Sequence, residues 1–573
     1  MNNEMTLKEI ANNPQAIDLI FRETDFILNY LESLPEIQLS TIVDGRYRLA
    51  YVFEKDLDKV KQRLGSGFLN ALSVVYGLLD REALEASGIL QVQEQPFLDL
   101  RGNGTLLGFV DTGIDYTQDV FRYKDGTSRI VSIFDQTIKG DTPYNFLIGT
   151  EYTQEQINEA LKAEDPFEIV PHTDDVGHGT FLASVSAGSE TGGFIGAAPN
   201  AELIVVKLEK ARPYYLKKYL VPPEQENVFE GSSIMVGVEY ILKKARELNK
   251  PVSICIGLGT NMGGHDGFSQ LEEYLDEVAR TSGVCICTAA GNESQARHHT
   301  QGFLLATGDS QDIDIIIEGQ TTKSVYVSVL STSSDKISVS IRSPSGELVG
   351  RIPAKSGTTF ETKLIFEKAR ISVQYYFPLE GSSGQVTIIK LIDATPGVWK
   401  ITVYGDIVLD GSYHAYLPMT GMGPPGVEFL TPNPNFTIVS PATSFGTISC
   451  GAYDSSNNRL FFQSSWGPTL LPTIAPDLVA PGANVGGVFP TGFGTLSGTS
   501  VAAAITAGAC ALLLQWGVVE GNELAMSTFQ IRGLLIRGCI RQSNIIYPNP
   551  QWGYGILNLI NTFNMMRETR LGI

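Results

Sequence analysis

Short apolar runs alternate with longer amphipathic stretches through much of this 573-residue chain. The short runs are typical of buried parallel strands, whereas the longer stretches have the apolar spacing of helices. We predict strands at 107–110, 202–207, 252–256 and 284–287, and helices at 232–248 and 267–282. Because strands that alternate with helices build a parallel sheet with helices on both faces, the pattern predicts an α/β fold.

Two regions depart from this pattern. Residues 1–70 are predicted to be α+β, with a strand at 48–53 and a helix at 56–64. From 302 to 428, short strands separated by Gly, Pro and Ser replace the alternation: 325–330, 336–341, 369–376, 385–391 and 397–404. Such spacing predicts an inserted all-β domain, a jelly roll or a sandwich.

The chain therefore divides into 1–70, 71–301, 302–428 and 429–573, in which the second and fourth segments form one α/β domain. A further insert covers roughly 121–172. We expect it to be either a surface elaboration or a functional element, which forms the rim of a cleft or contacts an N-terminal prodomain.

Three short segments contain an Asp, a His and a Ser that together match a catalytic triad: Val110-Asp111-Thr112-Gly113, Gly177-His178-Gly179-Thr180 and Ser497-Gly498-Thr499-Ser500. A serine hydroxyl is a weak nucleophile, and it needs a base that is itself oriented by a third group. We predict that Ser500 attacks a peptide carbonyl, that His178 takes its proton and that Asp111 orients the imidazole.

A fourth segment, Thr288-Ala289-Ala290-Gly291-Asn292, follows the apolar strand 284–287. Acyl transfer needs hydrogen-bond donors aimed at the developing oxyanion. We predict that the Asn292 amide and the backbone N–H of Ser500 supply them. Each segment alone is typical of a turn, a loop or a helix cap, but the four together favour the catalytic interpretation.

The chain order Asp, His, Ser is that of the subtilisin type of serine protease. Further segments carry the same likeness: 197–203, 463–468, 475–482 and 552–558. The chain resembles the subtilases over about 71–300 and 430–565. Within them it is most similar to the Csp group of clostridial spore-germination proteases, on the segments 112–116, 134–137, 152–161 and 500–504. Thr153 and Gln156 have capping-box spacing, which predicts a helix start.

The resemblance implies how the chain is processed and how it binds substrate. Residues 1–70 would be a prodomain, an intramolecular chaperone and inhibitor that is cut off between Asn70 and Ala71. Gly257, Leu258 and Gly259 would form the substrate-binding edge, where a peptide adds by backbone pairing. Gly291 would line the other wall of the primary pocket.

The resemblance also implies a role. Csp proteases cleave the proform of a cortex-lytic hydrolase during germination, so the expected partners are that protein substrate and the chain's own prodomain. The alternatives are a general degradative subtilase, a germinant-sensing pseudoprotease, an N-terminal segment that is never cut, and a glycan-binding role for 302–428. The intact Asp111, His178 and Ser500 argue against a pseudoprotease.

The amino-acid composition limits the classes of binding partner and the cell compartment that we expect. The formal net charge is −20 and no basic run stands out, so we expect no nucleic-acid partner. Residues 1–23 lack a basic start followed by an apolar core, and we expect neither a signal peptide nor a membrane span. Synthesis in the cytoplasm, with deposition in the spore, is the expectation.

The six cysteines lie mostly in apolar segments without metal-ligand spacing, which favours buried free thiols over disulfides. Cys285 and Cys287 should face the same side of one strand. The loop 188–193 stands where many subtilases bind calcium, but it lacks the expected Asn ligand. We therefore expect no metal there and no cofactor.

Overall fold

The N-terminal region folds as a small α+β domain. The computed structural model describes residues 6–43, 46–65, 67–72, 75–78, 85–95, 98–191, 194–377, 384–471 and 473–571. The first elements are α1 (Leu7–Ala11), β1 (Ala16–Arg22), α2 (Asp25–Glu32), β2 (Ile37–Val43), β3 (Tyr47–Phe53), α3 (Leu57–Leu64) and α4 (Gly67–Ala71). The strands form an antiparallel sheet in the order β1-β3-β2. The predicted strand at 48–53 and helix at 56–64 are thereby confirmed.

The elements that follow build the α/β domain. They are β4 (Val75–Leu78), α5 (Ile89–Gln93), β5 (Leu106–Asp111), β6 (Ile130–Asp135), β7 (Thr150–Thr153), α6 (Gln154–Ala160), α7 (His178–Ala187), β8 (Glu202–Lys207), α8 (Pro213–Lys218), β9 (Phe229–Glu230), α9 (Gly231–Leu248), β10 (Val252–Ile256), β11 (Leu258–Gly259), α10 (Gln270–Val278) and β12 (Val284–Ala289). Helix α6 begins after the predicted capping box of Thr153 and Gln156. Helix α10 is shorter than the predicted 267–282. It begins after its cap at Ser269, and it ends at Val278.

The inserted region contains eleven of the described strands: β13 (His299–Phe303), β14 (Ser310–Ile317), β15 (Lys323–Thr332), β16 (Lys336–Arg342), β17 (Leu348–Ile352), β18 (Thr359–Lys363), β19 (Arg370–Tyr376), β20 (Gly384–Ala394), β21 (Gly397–Ile407), β22 (Ser412–Tyr416) and β23 (Val427–Phe429). They form two sheets, β13-β22-β15-β20-β19-β18 and β17-β16-β21-β14-β23. Apolar side chains of both sheets, such as Ile315 and Val327, share one core. The insertion is therefore two packed antiparallel sheets.

The chain then completes the α/β domain with β24 (Ile448–Asp454), β25 (Arg459–Leu460), β26 (Leu478–Pro481), β27 (Val485–Phe489), β28 (Gly492–Leu496), α11 (Thr499–Leu514), α12 (Thr528–Gly538) and α13 (Leu559–Leu571). The main sheet has the strand order β25-β24-β12-β10-β5-β8-β6-β7, with β26 beside β24. Strands β24, β12, β10, β5, β8 and β6 pair in parallel. The predicted α/β fold with an inserted all-β region is confirmed.

Alternate residues of the central strands face two separate cores. On β12, Cys285 and Cys287 lie in one apolar cluster, whereas Val284 and Ile286 lie in the other. This alternation follows from the two-residue period of a strand, and it confirms that both thiols face one side. The main sheet is thus covered on both faces, as the continuous apolar runs predict.

Helix α11 passes through the first of these cores. By length and hydropathy the segment Thr499–Val519 is, among the described residues, the one helical stretch that could span a membrane. In this fold 89% of the most apolar 18-residue stretch of this segment is buried inside the protein. Its small residues let it pack closely: a Cβ on Gly508 would collide with Ala197 of the neighbouring loop.

Candidate functional site

Three elements bring the predicted catalytic residues together. Asp111 is the last residue of β5, His178 is the first residue of α7, and Ser500 is the second residue of α11. Carboxyl ends of parallel strands and amino ends of helices meet at one edge of an α/β sheet. Residues that are 67 and 322 positions apart in the chain therefore become neighbours.

The distances within this triad fit general-base activation of the serine. His178 Nδ1 lies 2.8 Å from Asp111 Oδ1, and His178 Nε2 lies 3.2 Å from Ser500 Oγ. Because the carboxylate only accepts, Nδ1 carries the proton and Nε2 is left as the acceptor for the serine hydroxyl. All three side chains are buried, which strengthens these electrostatic contacts.

Asn292 is oriented by the helix that carries the nucleophile. Its Oδ1 accepts hydrogen bonds from the backbone N–H of Thr499 at 3.1 Å and from Thr499 Oγ1 at 3.2 Å. Thr499 Oγ1 also accepts from the backbone N–H of Gly291 at 3.0 Å. Since the oxygen end of the Asn292 amide accepts from Thr499, its NH₂ end is the end that would donate to an oxyanion.

One buried carboxylate that the sequence did not single out joins the loops of the triad. Asp174 accepts from Thr112 Oγ1 at 2.8 Å and from the backbone N–H of Gly177 at 2.8 Å. It also accepts from the backbone N–H and hydroxyl of Thr180, at 2.9 and 2.6 Å. Thr112 follows Asp111, and Gly177 precedes His178, so Asp174 fixes the loop of the acid relative to the helix of the base.

A second buried Asp–His pair lies behind the triad. His172 Nδ1 is 2.6 Å from Asp135 Oδ2, and the backbone N–H of Ile114 donates to His172 Nε2 at 3.1 Å. Burial raises the pKa of Asp135, but hydrogen bonds from His172 and Thr137 outweigh it and lower that pKa below its ordinary value. Both members of the pair belong to the insert at 121–172, which therefore supports the loop after Asp111.

The predicted substrate edge is paired with the chain itself. Strand β4 runs antiparallel to β11, with Leu78 opposite Leu258 and Gly77 opposite Gly259. On its other side, β4 pairs antiparallel with β9. Backbone pairing of this kind is how an extended peptide adds to a sheet edge.

The predicted processing position lies several residues before this paired strand. Asn70 and Ala71 lie at the end of helix α4, and Ala71 is buried. The segment that reaches the substrate edge is Val75–Leu78, several residues later. The junction at Asn70–Ala71 therefore stays a prediction from the sequence, and it lies outside the segment that pairs with the edge.

Two of the three glycines predicted to bind substrate, Gly257 and Gly291, occupy crowded positions. A Cβ on Gly257 would lie 2.6 Å from Leu182 and 3.2 Å from His178 Cε1. Gly291 has a φ of +109°, and a Cβ there would lie 2.7 Å from Ser465 Oγ. Only glycine lets the backbone pass this close to its neighbours.

Buried charges hold the N-terminal domain against the α/β domain. Arg212 Nη1 lies 2.6 Å from Asp18 Oδ1 and 2.6 Å from Glu230 Oε2. Asp18 belongs to β1, whereas Glu230 is the residue before α9. Tyr215 also donates its hydroxyl proton to the carbonyl of Asp18. Glu230 is also the last residue of β9, so this cluster includes a residue of the strand that pairs with β4.

The buried cation of Arg129 contacts Ser189, which belongs to the loop 188–193 at which many subtilases bind calcium. The Arg129 guanidinium donates to Ser189 Oγ at 3.1 Å and to three backbone carbonyls, those of Val120, Ala187 and Ala201. Burial lowers the pKa of Arg129 to about 10, which leaves it charged at neutral pH. A covalently attached cation thus ties together the segments around this loop.

The six cysteines are all buried free thiols, as predicted. Cys285, Cys287 and Cys510 place their Sγ atoms within 4.8 Å of one another, and they are the one set of three close metal-ligand groups in the described residues. Thiolates suit zinc or copper(I). The cluster lies in the apolar core between β12 and α11, so its thiols pack there as small hydrophobic groups.

Comparison with known proteins agrees with this geometry. The sequence profile of the subtilase family, Peptidase S8, matches residues 102–383 and 430–555. The solved structure of the CspB protease of Clostridium perfringens is 32% identical, with a TM-score of 0.74, over 84% of this chain and 98% of that one.

Curated relatives are more distant and much longer. A PII-type proteinase of Lacticaseibacillus paracasei is 21% identical over 90% of this chain. A C5a peptidase of Streptococcus pyogenes is 23% identical over 72% of it. The chain spans 27% and 35% of the lengths of these two proteins.

Proposed function

The chain belongs to the subtilase family of serine endopeptidases, and on that premise we propose that it cuts its own N-terminal domain and activates another protein by limited proteolysis. The substrate that we propose is the proform of a spore cortex-lytic hydrolase, cleaved during germination. The observation that carries the proposal is the pairing of β4 with β11 beside an assembled triad. Likeness to the CspB protease supports the germination setting.

The reaction follows from the positions of the side chains. Ser500 Oγ attacks the carbonyl of the scissile bond as its proton passes to His178 Nε2. Asp111 stabilises the imidazolium through the hydrogen bond at Nδ1, and Asn292 stabilises the oxyanion. His178 then gives its proton to the leaving amine. A water molecule next attacks the acyl group on Ser500 in the same way, which releases the acyl chain.

The self-cleavage that we propose follows strand β4. A peptide on β11 is held by its backbone, so the bond to be cut lies just beyond the paired residues. We therefore assign the bond to the stretch between Leu78 and Glu85, in place of Asn70–Ala71. Holding the bond at the site replaces a bimolecular encounter by a positioned one, which favours a single cut over general digestion.

The intact masses of the purified protein and of its Ser500→Ala variant test self-cleavage. We expect two fragments from the wild type, with the break between residues 78 and 85, and one chain from the variant. Two fragments from both proteins would show that another protease makes the cut. Intact chains from both would favour the alternative of a germinant-sensing pseudoprotease.

Incubation with a purified cortex-lytic hydrolase proform tests the substrate. One discrete cut that depends on Ser500 would support limited proteolysis, and on this proposal the enzyme is stored in the spore together with its substrate. Rapid degradation of unfolded casein, with no discrete cut in the proform, would instead support a general degradative subtilase.

A further inference from the structure

Three lysines meet where the N-terminal domain, the α/β domain and the inserted region come together. Lys61 belongs to α3, Lys218 is the last residue of α8, and Lys390 lies in β20. All three side chains are half-buried. Within the described part of the chain, none of the three ammonium groups forms an ion pair or donates a hydrogen bond to an oxygen atom. The junction therefore contains three cations that lack acceptors.

Contacts of two tyrosines place Lys218 close to Lys390. Tyr326 of β15 is the cross-strand neighbour of Lys390, so the two side chains lie on the same face of the sheet. The Tyr326 ring lies 5.6 Å from the ring of Tyr219, measured between their centres. Lys218 Nζ in turn lies 5.5 Å from the centre of the Tyr219 ring, a distance typical of a cation–π contact. The two lysines thus lie beside one pair of aromatic rings.

The third lysine comes from the N-terminal domain, which contacts α8 at the same place. Lys217 Nζ lies 3.9 Å from Glu54 Oε1, three residues before α3 begins at Leu57. Lys61 lies about one turn further along α3. Its positive charge is among the causes that lower the pKa of both other lysines of the cluster. Lys217 therefore has an acidic partner at this contact, whereas the adjacent Lys218 faces other cations.

Burial and mutual repulsion both act against the charges of this cluster. Burial lowers the pKa of Lys218 well below its ordinary value, and the charges of Lys390 and Lys61 lower it further. Burial and the charge of Lys61 lower the pKa of Lys390 to about 8, although Glu361 offsets part of this effect. A charge that is removed from water without a partner destabilises the fold. The chain has 62 acidic residues against 42 basic ones, so the lack of an ion pair here does not reflect a shortage of carboxylates.

We propose that Lys61, Lys218 and Lys390 form a binding site for a small multivalent oxyanion, of which inorganic phosphate is the simplest. Lysine ammonium groups are frequent phosphate ligands, and each offers donors that phosphate oxygens can accept. A small polycarboxylate presents the same chemistry of several negative oxygens. Because the lysines belong to three separate parts of the chain, the bound anion ties the N-terminal domain to the α/β domain and to the inserted region. The site is independent of the proposed proteolysis.

Isothermal titration calorimetry with inorganic phosphate tests the site, with the ionic strength held constant by NaCl. The full-length protein carries Ser500→Ala, so that neither self-cleavage nor catalysis affects the result. This parent is compared with versions that also carry Lys61→Met, Lys218→Met or Lys390→Met, which keep an apolar stem without the charge. Lys162→Met, at an exposed lysine, is the matched control. A parallel titration with citrate shows whether a phosphate or a polycarboxylate fits better.

Thermal unfolding of the same proteins gives a second measurement. We expect millimolar phosphate to raise the melting temperature of the parent and to reach a plateau. The general stabilisation by excluded anions, in contrast, increases steadily and acts on every variant alike. Without phosphate, Lys218→Met should unfold at a temperature no lower than that of the parent, because it removes a buried charge that has no partner.

We expect the parent and Lys162→Met to bind the anion with equal affinity. Each of the three cluster variants should bind it roughly tenfold more weakly or worse, since each loses a hydrogen bond between charged groups. Absence of saturable binding by both phosphate and citrate would overturn the inference. Equal affinity in all variants would overturn it as well, because the anion would then bind elsewhere. The parent titration and the remaining variants decide the matter even if one variant does not fold.

Discussion

Thr112 Oγ1 donates a 2.8 Å hydrogen bond to Asp174 Oδ1, and this bond joins the loop of the catalytic acid to the helix of the catalytic base. The same carboxylate accepts from Gly177 and Thr180 on the other side. The triad geometry thus depends on a buried acceptor that is not itself a member of the triad.

Replacing Asp174 by Asn should lower kcat while leaving the protein folded. The amide presents an NH₂ group where two donors need acceptors, so the loops must shift, and misplacement by about 1 Å costs roughly 10²-fold in rate. Steady-state kinetics on a peptide substrate give kcat and KM, and we expect the loss mainly in kcat. The neighbouring Asp175→Asn is the control, because the Asp175 side chain is 78% exposed. Equal losses in both variants would contradict a positioning role.

Replacing Asn292 by Ala should slow catalysis without changing the melting temperature appreciably. Loss of one oxyanion donor costs about 10²–10³ in kcat, a figure established for a subtilisin. The exposed Asn200→Ala serves as the control. A kcat within a few-fold of wild type would show that another donor stabilises the oxyanion.

The Glu272 carboxyl should make stability depend on pH. It is buried at the start of α10, where it accepts from the backbone N–H and hydroxyl of Ser269, and burial raises its pKa from 4.5 to about 7. Because the folded pKa is the higher one, the stability it contributes is complete below pH 4.5 and is lost as pH rises through 7. The loss is roughly 3 kcal/mol.

Glu272→Gln keeps the capping partner but cannot ionise. Urea unfolding between pH 4 and 8 should show the wild type losing stability relative to this variant as pH rises. Glu226→Gln, at a side chain that is 71% exposed, should follow the wild type. Parallel pH curves for wild type and Glu272→Gln would rule out the buried carboxyl as the cause.

Replacing Asp18 by Asn should loosen the N-terminal domain after the chain is cut. The change removes one charged partner from buried Arg212, which keeps Glu230 and the carbonyl of Ala11, and hydrogen bonds to charged groups contribute about 1.5–3 kcal/mol. We expect the two fragments to separate on size-exclusion chromatography at concentrations at which the wild-type fragments stay together. Asp25→Asn, at an exposed position of the same domain, is the control. Equal retention in both variants would show that other contacts dominate the interface.

The sequence was sufficient to predict the elements that carry Asp111, His178 and Ser500. Each of these residues stands at the end of a buried strand or the start of an apolar helix, so its location follows from local pattern alone. Asn292 follows a strand in the same way. Such positions converge at one edge of a parallel sheet whatever the lengths of the loops between them.

Contacts made across loops could not be predicted in this way. Asp174 lies in a polar segment without periodicity, and its partners are identified only when the loops are folded together. The position of β4 likewise depends on pairing with a distant edge, so the sequence alone does not identify Val75–Leu78 as the segment that reaches it.

The Arg129 side chain supplies, from within the chain, the positive charge that joins several neighbouring segments. A guanidinium that bridges Ser189 and three backbone carbonyls is made with the chain, so it can be neither removed by a chelator nor diluted away. The carbonyl groups that it joins therefore keep a positively charged partner at any concentration of metal ions in solution. The positive charge that joins this part of the protein is therefore present as soon as the chain is made.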